Sequence, residues 1–356
     1  MTRFGMLVTT TAVTIMTASL GAAGCSSSSP AKLPPVNVQA AGLREGFGTI
    51  DRLVAAAQKE RHLTLTGISR DRVGFGEIVD RFSDEYGIDV RLAEPGASSG
   101  RQIETADTVK PDVFNLSMDV AVANTSGFAP YKVTGWRDLP DDVKEPGGAW
   151  YAAYGGYMSI GYDSHRMATP ASYADLLKPG HLVALPDDPL HSAAAFSGVM
   201  ATSLLGGLPA AERGIDFFTR LKRAGVLTTP DRATVLLDWD YRNLARAEDI
   251  AGWQVVVPSG PALAAYYMQA INKDAPHPAA ARLWQEFLYS DEGQNLLLKA
   301  HARPARLEAM RMRGTVDAKA AAALPKVSGE PVILTIPQAD EAKTYLRSHW
   351  PKLAAA

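Results

Sequence analysis

A two-lobed α/β fold with mostly parallel sheets is predicted by three features of this sequence. Residues 62–117 read as β-α-β-α-β, a further α/β cycle occupies about 155–260, and the chain runs to 356 residues. Single hydrophobic cores stop growing at roughly 250 to 300 residues, so the remaining length is assigned to a second lobe.

Composition bounds the partners. The chain is 46% hydrophobic and 21% charged with a formal net charge of -2, as in soluble globular proteins. No broad basic field is available for nucleic acid, which leaves small molecules and proteins.

The N-terminus carries an address. Phe4 to Gly24 is free of charge and follows Arg3, the pattern of a signal peptide over 1–24. The sole cysteine, Cys25, follows Leu20-Gly21-Ala22-Ala23-Gly24 and precedes Ser26-Ser27-Ser28-Ser29-Pro30. This context resembles the lipobox of bacterial lipoproteins, which implies a lipid anchor (diacylglycerol, with palmitate-type acyl chains) on the Cys25 sulfur. Residues 25–43, rich in Ser, Pro and Ala, read as the lipidated cysteine and a flexible tether, with folded structure beginning near Leu43.

The elements then follow in order. Helical periodicity over Thr49 to Lys59 leads to a strand at His62 to Thr66, an amphipathic helix at Gly76 to Tyr86 and a strand at Ile88 to Leu92. A turn at Glu94-Pro95-Gly96, a helix from about Gly100 to Val109 and a strand at Asp112 to Leu116 complete the first unit. The second cycle has a strand at Leu182 to Leu185 and a helix opened by Asp188-Pro189. A helix at Ala210 to Ala224 and strands at Val235 to Leu237 and Gln254 to Val257 complete it. In doubly wound sheets ligands lie outside the carboxyl ends of the strands, here the loops 67–74, 95–100 and 117–119.

Residues 252–299 read GWQVVVPSGPALAAYYMQAINKDAPHPAAARLWQEFLYSDEGQNLLLK. This segment resembles the second chain crossover of polyamine-binding, ferric-ion-binding and related substrate-binding proteins of bacterial ABC importers. Asp175-Leu176-Leu177-Lys178-Pro179, Leu182 to Pro189 and Leu237-Asp238-Trp239-Asp240-Tyr241 are similar to the same family. The resemblance implies a periplasmic-binding-protein-like fold of type II, two lobes closing about strands that cross near Tyr154 to Ile160 and Ala265 to Ile271. It places lobe 1 at 44–153 plus 268–320, lobe 2 at 154–267, and a C-terminal segment at 321–356 packing on both.

The candidate ligand residues are Ser69, Ser98, Ser99, Ser117, Tyr154, Asp238, Trp239, Asp240 and Tyr267. Trp239 between two carboxylates suits packing on an alkyl ligand while Asp238 and Asp240 bind an amine; the plain alternative is a turn in which the indole covers the lobe. The similar polyamine binders carry a Trp-Asn pair about here and an aspartate near Tyr267, so polyamine specificity does not transfer directly. Tyr266-Tyr267 invites comparison with the tandem tyrosines of ferric-ion binders, but alternation along a strand sends the two rings to opposite faces, which argues against iron. Asp187 and Asp188 suit helix capping better than cation binding.

Ser98-Ser99-Gly100 ahead of a helix, with Ser69 and Ser117 after their strands, suits an anion instead. Gly96-Ala97-Ser98-Ser99-Gly100 also fits the G-x-S-x-G pattern of a hydrolase elbow, but no oxyanion loop precedes it and no triad partner announces itself. The histidines are scattered without metal-ligand spacing.

The expected function is therefore the extracytoplasmic, lipid-anchored solute-binding component of an ABC importer, monomeric and not an enzyme, with no cofactor and no nucleic acid. Its ligand is a small charged solute, polyamine-like, phosphonate-like or a metal chelate, and its protein partners are the permease and ATPase subunits. The alternatives are an exported serine hydrolase using Ser98 and a sensory or scaffolding lipoprotein.

Overall fold

The first unit of the sheet forms for local reasons. In this computed structural model, which describes residues 35–355, short α1 (Leu43–Gly46) is followed by α2 (Ile50–Glu60), whose N-terminus Thr49 caps by accepting from the Arg52 amide. α2 buries Leu53 and Ala57, one turn apart. β1 (His62–Thr66) follows, then α3 (Phe75–Tyr86), which buries Phe75, Ile78, Val79 and Phe82 along one stripe, then β2 (Asp89–Ala93). Next come α4 (Ser99–Glu104), α5 (Ala106–Val109), β3 (Val113–Ser117), α6 (Met118–Ala123) and the short β4 (Phe128–Ala129). β1 pairs in parallel with β2 on one side and β3 on the other.

The chain then crosses to its second half along β5 (Tyr151–Asp163), a long strand buried over nearly all its length. β6 (Val183–Ala184), α7 (Ala193–Thr202), α8 (Ala211–Arg223), β7 (Val235–Trp239), α9 (Asp240–Asp249) and β8 (Trp253–Val256) build that half. The return is β9 (Ala262–Asn272), leading to α10 (Pro278–Leu288) and α11 (Asp291–Lys299). β10 (Arg303–Pro304), α12 (Leu307–Arg313), α13 (Ala318–Ala323), β11 (Pro331–Val332) and α14 (Ile336–Ala355) finish the described chain.

The strand order β2-β1-β3-β9-β5-β7-β6 runs through both halves, with β9 antiparallel to β3 and to β5. This is a two-lobed α/β architecture in which β5 and β9 are the shared strands. α14 packs on α8, where Trp350 meets Phe218 edge-on at 5.3 Å and Lys222 Nζ donates to the Leu353 carbonyl at 2.6 Å. It also reaches α6, where Lys343 pairs with Asp119 at 2.7 Å.

Three local expectations change. The helix expected over Gly100 to Val109 is broken at Thr105, whose hydroxyl has both the Arg101 carbonyl and the Glu94 carboxylate within hydrogen-bond distance as acceptors for its one proton. Asp188 does not open the next helix: it accepts from the Leu190 amide in a tight turn, and Ser192 caps α7 by accepting from the Ala195 amide. Residues 37–42 are not free tether, because backbone bonds from Asn37 to Gly46 and from Lys132 to Ala41, and a side-chain bond from Arg282 Nε to the Ala40 carbonyl, fasten them to the fold. Cys25, the signal segment and the earlier part of the tether lie outside the described residues.

Candidate ligand-binding site

The two shared strands bring distant residues into one register. Across β3, β9 and β5, Ser117 faces Tyr267, Asn115 faces Gln269, and Tyr267 faces Tyr154. β5 pairs with β9 as far as Tyr157 opposite Ala264, then with β7 from Met158 opposite Trp239, so its partner changes beside this register.

On one face of that junction the rings of Tyr154 and Tyr267 stack, with centroids 5.3 Å apart and planes 17° apart. Tyr241, in the first turn of α9, meets Tyr154 edge-on at 6.2 Å, and Phe75 does so from α3 at 5.9 Å. Tyr266 takes the opposite face, as strand alternation requires: a Cβ on Gly155 would stand 2.7 Å from its ring, and Tyr157 and Arg303 lie near it. Burial pushes the Tyr266 phenol up to about 12 and raises those of Tyr154, Tyr241 and Tyr267 above their ordinary value. All of them stay protonated near neutral pH, so each keeps an O–H that can donate.

The two carboxylates expected to bind an amine are taken by the chain itself. Asp238, fully buried, accepts from the Trp239 amide and pairs with Arg246 at 2.9 Å and Arg242 at 3.4 Å. Asp240, also fully buried, pairs with Arg303 at 3.0 Å and accepts from the Tyr157 and Tyr241 amides. Burial raises the Asp240 pKa against the opposing pull of Arg303. Neither carboxylate is free for a cationic ligand. Trp239 is 2% exposed and belongs to the hydrophobic core, its indole N–H buried without a partner, so it covers the lobe rather than presenting a ring to solvent.

The serines are likewise engaged locally. Ser69 donates to Asp71, Ser98 caps α4 by accepting from the Arg101 amide, Ser99 accepts from the Ser117 amide at 2.8 Å, and the Ser117 hydroxyl bonds Asp119. Ser98 has no histidine or carboxylate partner among the described residues, as a hydrolase nucleophile would need. No group of three or more His, Cys, Asp or Glu side chains suited to a metal ion occurs among the described residues.

Several residues at the junction carried no recognised signal. Arg72 lies in the β1–α3 loop, near enough to Gly96 that a Cβ there would stand 3.7 Å from its Nη1. Its guanidinium has no hydrogen-bond or ion-pair partner among the described residues. Arg242 follows Tyr241 directly, and both arginines act electrostatically on the Tyr154 and Tyr267 phenols. Burial opposes the Arg242 charge most strongly, but Asp238 and the neighbouring tyrosines Tyr241, Tyr267 and Tyr154 together raise its pKa above the ordinary value. The Tyr241-Arg242 pair adjoins the Leu237 to Tyr241 stretch and was the one available clue.

A family model for bacterial extracellular solute-binding proteins matches residues 118–327, more than half of the chain. The chain belongs to this family. Solute-binding proteins of known structure share its fold over 81–83% of the chain. Iron-bound HitA from Pseudomonas aeruginosa superposes with a TM-score of 0.61 at 21% identity, covering 81% of this chain and 98% of HitA. The periplasmic binding protein AfuA from Actinobacillus pleuropneumoniae, with fructose-6-phosphate bound, gives 0.61 at 15% identity over 81% and 98%. AgtB from A. tumefaciens R10, in complex with agropinic acid, gives 0.58 at 15% identity over 83% and 99%. No curated protein matches the chain. This chain is thus a member of a family of extracellular solute-binding proteins, which act outside the cytoplasm. No helix among the described residues is long and apolar enough to cross a membrane.

Proposed function

We propose that this protein captures a small solute at the junction of its two lobes, against Tyr154, Tyr241 and Tyr267, and delivers it to the permease and ATPase subunits of an ABC importer. The observation that carries this reading is the convergence of three phenols where β5 leaves β9 for β7, the point both halves of the sheet share. A ligand there touches both lobes, so its binding energy favours the closed arrangement. The lobes divide close to 44–153 plus 268–320 and 154–267, with 321–356 packed on both. The protein acts as a monomer and performs no covalent chemistry, as its solute-binding family suggests. HitA, AfuA and AgtB hold an iron, a sugar phosphate and an organic acid respectively, so the fold alone leaves the solute open.

Thermal unfolding of the full chain against a solute panel tests the proposal. A ligand at 1,000 times its Kd adds about 4 kcal/mol of stability, and a raised Tm for one solute class is the expected result. No shift with any solute would sink it.

Export and anchoring follow from the N-terminal segment. Residues 1–24 act as the signal peptide, and lipidated Cys25 holds the protein on the outer side of the cell membrane. Cys25→Ala is expected to move the protein from the membrane fraction to the soluble one, read by fractionation and intact mass. An unchanged mass and distribution would remove the anchor.

A further inference from the structure

The direction of the hydrogen bonds under the tyrosines says which ligand chemistry they await. An indole N–H can only donate. Trp284 Nε1 donates to Gln269 Oε1 at 3.3 Å, which leaves the Gln269 amide NH2 to donate to Asn115 Oδ1 at 2.8 Å. That in turn points the Asn115 NH2 at its remaining partner, the Tyr154 hydroxyl oxygen. Trp284 and Gln269 are fully buried and Asn115 and Tyr154 nearly so, so water has little access to reverse the relay. Tyr154 therefore receives a hydrogen bond from within and must give its own proton outward. Tyr267 has the Tyr241 hydroxyl of α9 beside it, and either of the two phenols can be the donor.

The charges at the junction agree with the donors. Asp238 is shared by Arg242 and Arg246, which leaves one positive charge in excess, and Arg72 across the junction is unpaired. Asp238 is held by its two arginines, and Asp71, beside Arg72, accepts from the Ser69 hydroxyl and feels the Arg72 charge. Outward-facing O–H donors with surplus guanidinium suit an acceptor that carries negative charge.

Resting on the solute-receptor reading above, we infer that the junction binds an anionic group, a carboxylate or a phosphate, held by Arg72 from the β1–α3 loop and Arg242 from α9 and hydrogen-bonded by the Tyr154 and Tyr267 hydroxyls. One guanidinium comes from each side of the junction, so the anion itself draws the lobes together. The anion takes the place that an amine or a bare metal ion would need a carboxylate or phenolate to fill.

The test is ligand binding by the purified full chain, followed by thermal shift and calorimetry. The probes are inorganic phosphate, fructose-6-phosphate and succinate, with putrescine and glucose as the cationic and neutral comparisons. At least one anionic probe is expected to raise Tm, and comparison of the phosphates with succinate assigns the group. Arg72→Gln, at an exposed and unpaired side chain, is expected to leave the unliganded Tm in place and to weaken the responding probe about tenfold to a hundredfold. Gln269→Leu, which cuts the relay, is expected to weaken it as well. A response to putrescine or glucose with none to the anions overturns the anionic clamp and keeps the solute receptor. Anion binding unchanged in Arg72→Gln also overturns the clamp. Silence toward all five probes overturns both readings.

Discussion

Asp238→Ala is expected to lower the unfolding free energy by about 3 to 5 kcal/mol, the usual loss when one partner of a buried ion pair is removed. The carboxylate is fully buried and holds three donors: the Trp239 amide, Arg242 and Arg246. Its removal leaves two guanidinium groups without a counter-charge at the end of β7. Their side chains are 32% and 30% exposed, so they can turn partly to water, which places the expected loss toward the lower end. Urea denaturation of the wild type and the variant reads the effect. Asp238→Asn, which keeps the acceptor oxygen for the Trp239 amide, is expected to lose less. A loss below about 1 kcal/mol accompanied by abolished ligand binding would instead mark Asp238 as a ligand carboxylate.

Gly67→Ala is the second large effect, because the position is closed in two ways. Gly67 has φ +72°, where a Cβ costs about 1 to 2 kcal/mol. That Cβ would also stand 2.0 Å from Gln102 Nε2. Gln102 is 2% exposed and pairs with the Asn115 peptide on both sides, donating to its carbonyl at 2.9 Å and accepting from its amide at 3.2 Å. Forcing it out leaves a buried peptide unpaired at about 1 to 3 kcal/mol. The total expected loss is about 2 to 5 kcal/mol. Ligand affinity is expected to fall with it, because Asn115 orients Tyr154. A cycle with Gln102→Ala checks the mechanism: the clash disappears in the double variant, so the two losses must be less than additive. Strict additivity would rule out the contact between Gly67 and Gln102 as the cause.

Much of the frame was legible. The strand expected at His62 to Thr66 is β1 residue for residue. Apolar spacing and Gly, Pro and Ser punctuation are local properties, so the helices and strands from residue 49 to 117 fall within a residue or two, apart from the break at Thr105. Alternation alone sent Tyr266 and Tyr267 to different faces. It could not say which face joined Tyr154, since that depends on the pairing of β5 with β9.

The candidate site was less legible, and the misreadings share one cause. Asp238 and Asp240 look like free carboxylates in sequence, yet Arg246 lies two helical turns on and Arg303 is on another element. Ser98 and Ser99 look like an anion cradle, but one caps its own helix and the other accepts from β3. Arg72 looks like an ordinary loop arginine, and only the fold brings its charge within electrostatic reach of the tyrosines.

The sequence by itself determined the family, the βαβ order and the two crossings, because periodicity and punctuation act within a few residues of chain. Only the tertiary structure decided which charges are neutralised and which way the donors point. Those properties depend on pairs such as Asn115 and Gln269, 154 residues apart, brought within 2.8 Å by strand register. A polar side chain has the chemistry of its partner as much as its own, and the partner is chosen by the fold.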